Sequence, residues 1–250
     1  MNIVLIGYGN MGHEIEKIAL QRSHTVIERF DINSTLPPAG SDFYKSKTIN
    51  CFIDFSHASA VAHNAETASR LKVPLVEGTT GWHDKKNEIL DTVKKNGGTM
   101  VYGNNFSVGA QMFFRIVQKA AKLMNAFPEY DVSIHEVHHT QKKDAPSGTA
   151  LTVANSIMKE LKRKTAIKKD FQSGVIRENE IGVSSARVGK VFGIHSVLFY
   201  SDVDEIEIIH KAHNRVGLAS GAVLAAELIQ GFSGVYSFEE LVFEKSLRQQ

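Results

Sequence analysis

Apolar and polar positions follow two different textures along the chain. From residue 3 to residue 102, continuous apolar runs alternate with amphipathic stretches. Ile3-Val4-Leu5-Ile6 is apolar throughout, as a central parallel strand covered on both faces must be. Residues 11–20 place Met11, Ile15, Ile18 and Ala19 at helical spacing. Residues 26–30 read as a second strand ending at Asp31, 51–55 as a third, 73–76 as a fourth and 99–102 as a fifth. Helices are predicted over 59–71 and 85–95, and Pro37-Pro38 with Gly40 marks a surface loop. Parallel strands need crossovers, so the alternation predicts a doubly wound α/β domain.

After Phe106 the texture changes. Residues 108–124 read as a long helix with Met112, Ile116, Lys119 and Leu123 along one partly apolar stripe. A strand over 132–137 follows, then a helix over 148–161 with Leu151, Ala154, Met158 and Leu161 facing inward. The six Lys or Arg within 159–169 read as a solvated helix end and loop. Strands over 183–191, 196–200 and 205–210 succeed one another without helices, which predicts an antiparallel or mixed sheet and a second, α+β domain. A final helix is predicted over 218–229.

Composition narrows the classes. The 250 residues are 42% hydrophobic and 22% charged, which excludes wholesale disorder. A formal net charge of +2 is too balanced for a protein that grips nucleic acid. A single cysteine, Cys51, excludes an intramolecular disulfide framework, and its apolar strand makes it structural. No stretch approaches the roughly 18 apolar residues of a membrane span, and the opening apolar run is too short for a signal peptide. A cytoplasmic protein is expected.

Gly7-Tyr8-Gly9-Asn10-Met11-Gly12 is G-x-G-x-x-G between an apolar strand and an amphipathic helix. That context lets Gly7 make the tight turn, Gly9 admit a pyrophosphate to the backbone, and Gly12 bring helix and strand together. The helix N-terminus then offers N–H groups to the phosphates. Asp31, 19 residues beyond Gly12, stands where a carboxylate would meet an adenosine ribose. The combination predicts a Rossmann-like site for NADH or NADPH: Asp31 opposes a 2′-phosphate, and Arg29 is either placed to attract one or a solvated charge at the strand end. Gly78-Thr79-Thr80-Gly81, Gly103-Asn104-Asn105-Phe106-Ser107 and Asp54-Phe55-Ser56 end strands at the same edge, so Gly78, Thr79, Thr80, Asn104, Asn105 and Phe106 are candidates beside the nicotinamide.

The richest segment runs from Glu136 through His138, His139, Lys142, Lys143 and Asp144 to Pro146-Ser147-Gly148-Thr149. Adjacent histidines at a strand end point to opposite faces. No Cys or second His pair supplies metal-ligand spacing, so no metal is expected. Ser147, Gly148 and Thr149 open a helix, where N–H groups and hydroxyls suit a carboxylate. A general acid, a cation and an anion cradle within a dozen residues describe a site for an anionic substrate.

The run E-x-H-H-x-x-K-x-D-A-P-S-G-T over residues 136–149 closely resembles the dihydrodipicolinate reductase family. Support comes from 7–12, 54–56, 78–81, 105–109, His210-Lys211-Ala212, Arg215 and Gly221-Ala222. The resemblance implies a dinucleotide-binding domain over 1–107 and 217–250, and a substrate-binding and tetramerisation domain over 108–216. It implies hydride transfer from NADH or NADPH to C4 of a cyclic dicarboxylate imine formed from 4-hydroxy-tetrahydrodipicolinate, within diaminopimelate and lysine biosynthesis. His138 matches the family's general acid and Lys142 its catalytic cation. His139, Ser147, Gly148 and Thr149 match carboxylate-holding residues, and Arg215 an arginine near the site. Two departures stand out: Ile194 where the family often carries Glu, and Gly103-Asn104 where smaller, less polar residues are frequent. Rival readings are another two-domain dehydrogenase of an amino or imino acid, and a nucleotide-sensing regulator without catalysis.

Overall fold

In the computed structural model, residues 1–169 and 174–245 are described, with the backbone alone for Lys245; residues 246–250 of the expected cofactor domain lie outside them. The chain divides into two units, one comprising Met1–Val108 and the chain from Arg215 onward, the other Gly109–Asn214.

The apolar runs of the first unit become a six-stranded, all-parallel sheet. Its strands are β1 (Asn2–Ile6), β2 (Thr25–Phe30), β3 (Cys51–Asp54), β4 (Leu75–Glu77), β5 (Thr99–Tyr102) and a strand from the far end of the chain, Gly234–Ser237. Helices α1 (Asn10–Gln21), α2 (Val61–Leu71) and α3 (Lys86–Lys95) are the crossovers. The strand order is Gly234–Ser237, β5, β4, β3, β1, β2, and it reverses direction at β1 beside β3. Such a switch point opens a crevice beyond the strands' carboxyl ends.

Two cores sandwich this sheet. On one face Ile15, Ile18 and Ala19 of α1 pack with Ala219, Ala222, Val223, Ala225 and Ala226 of the helix Val216–Leu228. On the other, Val61, Ala65 and Ala68 of α2 pack with Ile89, Leu90 and Val93 of α3. The helix Val216–Leu228 owes its close approach to small residues: a Cβ on Gly221 would stand 1.6 Å from the Phe106 carbonyl oxygen.

The second unit is a five-stranded mixed sheet with helices on one face. In chain order it holds α4 (Val108–Met124), β6 (Asp131–His138), α5 (Gly148–Glu160), β7 (Ala166–Lys168), β8 (Glu180–Arg187), β9 (Gly193–Tyr200) and β10 (Glu205–Ala212). The helix Val216–Leu228 is therefore α6 and the strand Gly234–Ser237 is β11. Strand order is β10-β9-β6-β8-β7. Val132, Ile134, Ile181, Val183, Val197 and Phe199 face α4 and α5.

Several sequence expectations need correction. The predicted stripe of α4 is the wrong one: Met112, Ile116 and Leu123 are exposed, whereas Phe113, Val117 and Ala121 are buried. In α5 the fully buried positions are Ala150, Val153, Ala154 and Ile157, with Leu161 just beyond; Leu151 and Met158 are half-buried. The strand expected over 183–191 runs instead over Glu180–Arg187, because the chain turns at Gly189 with φ +46°. Strands β7 and β11 were not anticipated. Nor is the basic run merely solvated. Lys164 is buried, donating to the carbonyls of Glu178 and Glu180 and pairing with Asp131. Arg163 donates to the carbonyls of Met124, Phe127 and Tyr130.

Candidate active site

The glycine loop builds a cradle at the carboxyl end of β1. Gly7 sits at φ +87°, and a Cβ there would strike the Phe55 carbonyl at 2.3 Å. A Cβ on Gly12 would lie 2.6 Å from the Gly7 oxygen, so helix and strand close only because both are glycine. Gly9 meets nothing within 4 Å and is the N-cap of α1 without a side-chain cap. Asn10 and Met11 begin the helix here, so its first-turn N–H groups and its positive dipole end face an open space sized by Gly9. That is what a pyrophosphate requires.

Asp31 is exposed just after β2. Its Oδ1 accepts from the Asn33 N–H at 2.8 Å and from the Ser34 hydroxyl at 3.1 Å. The Asn33 hydrogen bond, then Ser34, holds its carboxyl below the usual range. Arg29 is not a loose cation: it pairs with Glu16, which also accepts from the Tyr8 hydroxyl, and its guanidinium lies 5.6 Å from the Tyr8 ring centroid.

The neighbouring loops are held by buried acids. Asp54 and Glu77 are directly paired across β3 and β4, and both are fully buried. Asp54 accepts from the Ser56 N–H, the Thr79 hydroxyl and the Asn64 amide. Glu77 Oε1 accepts from the Thr79 N–H at 2.7 Å. Burial, then the charge of Asp54, pushes the Glu77 carboxyl well above the ordinary range. Thr79 is thus a buried strut, whereas Thr80 is exposed. Gly78 admits the Phe55 ring, 2.2 Å from where a Cβ would stand. Asn104 is exposed, Asn105 accepts from the Ser107 N–H, and the Phe106 side chain is core, packed on Phe55 and Phe238. Cys51 is fully buried, and burial pushes its thiol up.

The second unit gathers the histidines. On β6, Glu136 and His138 share the helix-covered face because side chains alternate. The antiparallel register sets His195 of β9 directly opposite Glu136. Oε1 of Glu136 accepts from the Ser147 N–H at 2.9 Å and the Ser185 hydroxyl at 2.8 Å. Oε2 lies 3.5 Å from His138 Nδ1 and 3.5 Å from His195 Nε2. The two imidazoles pack edge to face at 5.1 Å, and Gly193 leaves room for the His138 ring. Burial pushes Glu136 up, but the attraction of His195 and the hydrogen bonds from Ser147 and Ser185 outweigh it and hold the carboxyl far below its usual range. His138 is pushed down to about 4, by burial first; the attraction of Glu136 opposes this, and His195, Lys142 and Arg187 add to it. Its ordinary value therefore does not describe the free protein, in which the imidazole is neutral at pH 7.

Lys142 pairs with Asp144 at 2.7 Å, and Arg187 straps the same loop by donating to the Asp144 carbonyl at 2.6 Å. Ser147 caps α5, its hydroxyl accepting from the Ala150 N–H, and lies 3.2 Å from His195 Nε2. Its N–H and hydroxyl are thus both engaged. Gly148 and Thr149 open the helix with exposed and half-exposed positions, and His139 turns to the other side of the strand end. Arg215 belongs to the first unit, as the N-cap residue of α6.

Three functional-looking residues escaped the sequence reading. Arg187 and His195 reach Glu136 only through strand register, and Glu136 itself carries a legible signal, lying two residues before His138 on one strand. Ile194 points away from this cluster, to the face of the sheet opposite His195, so the departure from Glu does not touch the histidines.

Comparison with known proteins adds the final layer. Residues 1–106 match the family model for the dihydrodipicolinate reductase N-terminus, and residues 109–242 that for its C-terminus. The 4-hydroxy-tetrahydrodipicolinate reductase of Christiangramia forsetii is 36% identical over 247 residues, covering 97% of this chain and 98% of that protein. The reductase of the same name from Methanococcoides burtonii is 38% identical over 240 residues, covering 93% and 86%. Among solved structures, a dipicolinate-bound dihydrodipicolinate reductase from Paenisporosarcina sp. TG-14 shares the fold at a TM-score of 0.77 and 21% identity, covering 97% of this chain and 100% of that one.

Proposed function

The chain belongs to the dihydrodipicolinate reductase family, and we propose that it reduces 4-hydroxy-tetrahydrodipicolinate with His138 as the proton donor. It is an NAD(P)H-dependent oxidoreductase of diaminopimelate and lysine biosynthesis. The observation that carries the finer reading is the coexistence of an open glycine cradle in one unit with the buried Glu136–His138–His195 cluster beside a helix N-terminus in the other.

Residues 7–12 would hold the pyrophosphate on backbone N–H groups, and the Asp31 carboxylate would accept from the adenosine ribose. NADH or NADPH held there would supply the hydride. In the second unit, the free N–H groups of Gly148 and Thr149, with the Thr149 hydroxyl, hold a substrate carboxylate at the positive end of α5. Ser147 supports them through the local frame, since its N–H donates to Glu136 and its hydroxyl accepts from the Ala150 N–H. Lys142 exchanges Asp144 for the substrate's negative charge, and His139 assists at the carboxylates. Hydride addition at C4 drives electrons toward the ring nitrogen, where a proton from His138 neutralises the developing charge. A dianionic substrate opposes the desolvation that keeps His138 neutral, so the acid is charged when substrate is present. The Glu136 carboxylate faces Nδ1 at 3.5 Å, which leaves Nε2 for the substrate. Residues Gly78, Thr79, Thr80, Asn104, Asn105 and Phe106 border the nicotinamide, chiefly through their backbone.

We further place the protein in the cytoplasm as a homotetramer built on the sheet face that α4 and α5 do not cover. Ile194 and Ile209 lie on that face, in register with Val137 and Ser196. No helix among the described residues is long and apolar enough to cross a membrane.

The test is anaerobic mixing of the protein, NADH or NADPH, and freshly generated 4-hydroxy-tetrahydrodipicolinate, followed at the nicotinamide absorbance. Oxidation dependent on that compound is expected. Folded protein that oxidises neither cofactor would remove the proposal.

A further inference from the structure

We propose that Glu136, His138 and His195 form a site for a divalent transition-metal ion of the zinc class, and that its occupancy inhibits the reductase. Spacing along the chain offered no metal-ligand set; the fold assembles one across β6 and β9. One ligand atom from each residue lies within 4.8 Å of the others. Tetrahedral zinc, with bonds of about 2.0–2.1 Å, sets neighbouring ligand atoms about 3.4 Å apart. Glu136 Oε2 stands 3.5 Å from His138 Nδ1 and 3.5 Å from His195 Nε2. The spacing is too long for good hydrogen bonds and right for a shared ion.

The second observation is independent of spacing. Glu136 Oε2 and His138 Nδ1 are both buried, and neither has a hydrogen-bond partner. They belong to residues 0% and 7% exposed and lie 3.5 Å from each other. A buried unpaired carboxylate oxygen is costly, so the pocket gains from an occupant that accepts electron pairs. The other Glu136 oxygen is already fixed by Ser147 and Ser185, as a metal ligand's outer shell requires. The Ser147 hydroxyl, 3.2 Å from His195 Nε2, or a water completes four ligands. Two imidazoles and one carboxylate favour zinc or copper over magnesium or calcium. The Arg187 guanidinium stands 3.7 Å from Oε1, the carboxylate oxygen that the ion does not use.

The inhibition rests on the reading of His138 as proton donor; the binding does not. An ion on Nδ1 takes the electron pair that would otherwise hold a proton, and the imidazole can no longer become the imidazolium acid.

The experiment uses chelator-treated full-length protein and cobalt(II) as the probe. Saturable one-to-one binding with the intense visible bands of four-coordinate cobalt is expected, and zinc should bleach them by displacement. Glu136→Gln and His195→Asn, shown folded by circular dichroism, should each weaken binding by about tenfold or more. As a readout that needs no variant, X-ray absorption of the zinc-loaded protein should show two imidazoles per ion. Absence of four-coordinate bands, unchanged affinity in both folded variants, or fewer than two imidazoles would overturn the site. Zinc should also abolish turnover, with recovery on chelation. Binding at this site with turnover intact would overturn the inhibition and His138 as donor, while upholding the site itself.

Discussion

Replacing Glu77 by Gln isolates the energetics of the buried acid pair beneath the loops that follow β3 and β4. Glu77 faces Asp54 across β3 and β4, with one oxygen accepting from the Thr79 N–H and the other unpartnered. Because burial and the Asp54 charge raise its folded value, native Glu77 keeps a proton that the unfolded chain releases above about pH 4.3. Folding then takes up a proton, so stability is full below the unfolded value and falls as pH rises toward the folded one. The slope in that window is about 1.4 kcal/mol per pH unit. Gln carries no charge, keeps an acceptor for Thr79 and presents a donor to Asp54. The variant should therefore match wild type near pH 4 and outlast it above, by about 3 kcal/mol over two pH units. In thermal melts this is about 5–10 °C for a chain of this size. Trp82 reports on the right unit: it is the chain's one tryptophan, is buried, and donates to the Thr79 carbonyl at 2.7 Å. Urea titrations followed by its fluorescence at several pH values give the curve. A difference between the two proteins that does not change from pH 4 to pH 7 would refute the claim that Glu77 is protonated in the fold.

Other outcomes follow from the same geometry. His138→Gln should lower kcat by about 10²–10⁴-fold with a modest change in KM, whereas Lys142→Ala should lower kcat and also raise KM; the double variant should lose less than the product of the two, as steady-state kinetics will show. A His138 variant with kcat intact would make that residue a binder only. Asp31→Ala should weaken NADH more than NADPH in fluorescence titrations, since only NADPH gains from removing a charge opposite its 2′-phosphate, and equal losses would show that Asp31 does not reach the ribose. Gly221→Ala should destabilise the first unit by about 1–3 kcal/mol, because its Cβ would stand 1.6 Å from the Phe106 oxygen; an unchanged urea midpoint would mean that α6 can shift at no cost.

Most of the fold was written in local pattern. The uninterrupted run of β1 and the turn at Gly7 announce a buried parallel strand and a phosphate loop within a dozen residues. Strand β11 was hidden because Gly234-Val235-Tyr236-Ser237 is short and half-buried, and its partner β5 lies far back in the chain. Lys164 looked solvated because the carbonyls and the carboxylate that hold it come from β6 and the approach to β8. At the site, the Glu136–His138 spacing was readable, but His195 enters only through an antiparallel register that no local pattern states. The partner of Arg29 was hidden for the same reason: Glu16 reaches it from α1.

The first unit is closed by β11 and α6, both made after the whole second unit. On the ribosome, the five strands made first emerge with β5 as a raw edge and with α1 lacking the alanine-rich helix it packs against. The second unit is continuous in sequence and can complete itself during translation, as nascent domains generally do. The first unit must wait until Leu241, a member of its core, has left the exit tunnel. Newly made chains thus complete the second unit before the first, and until then the bare edge of β5 is a strand template that a nascent-chain chaperone would have to cover.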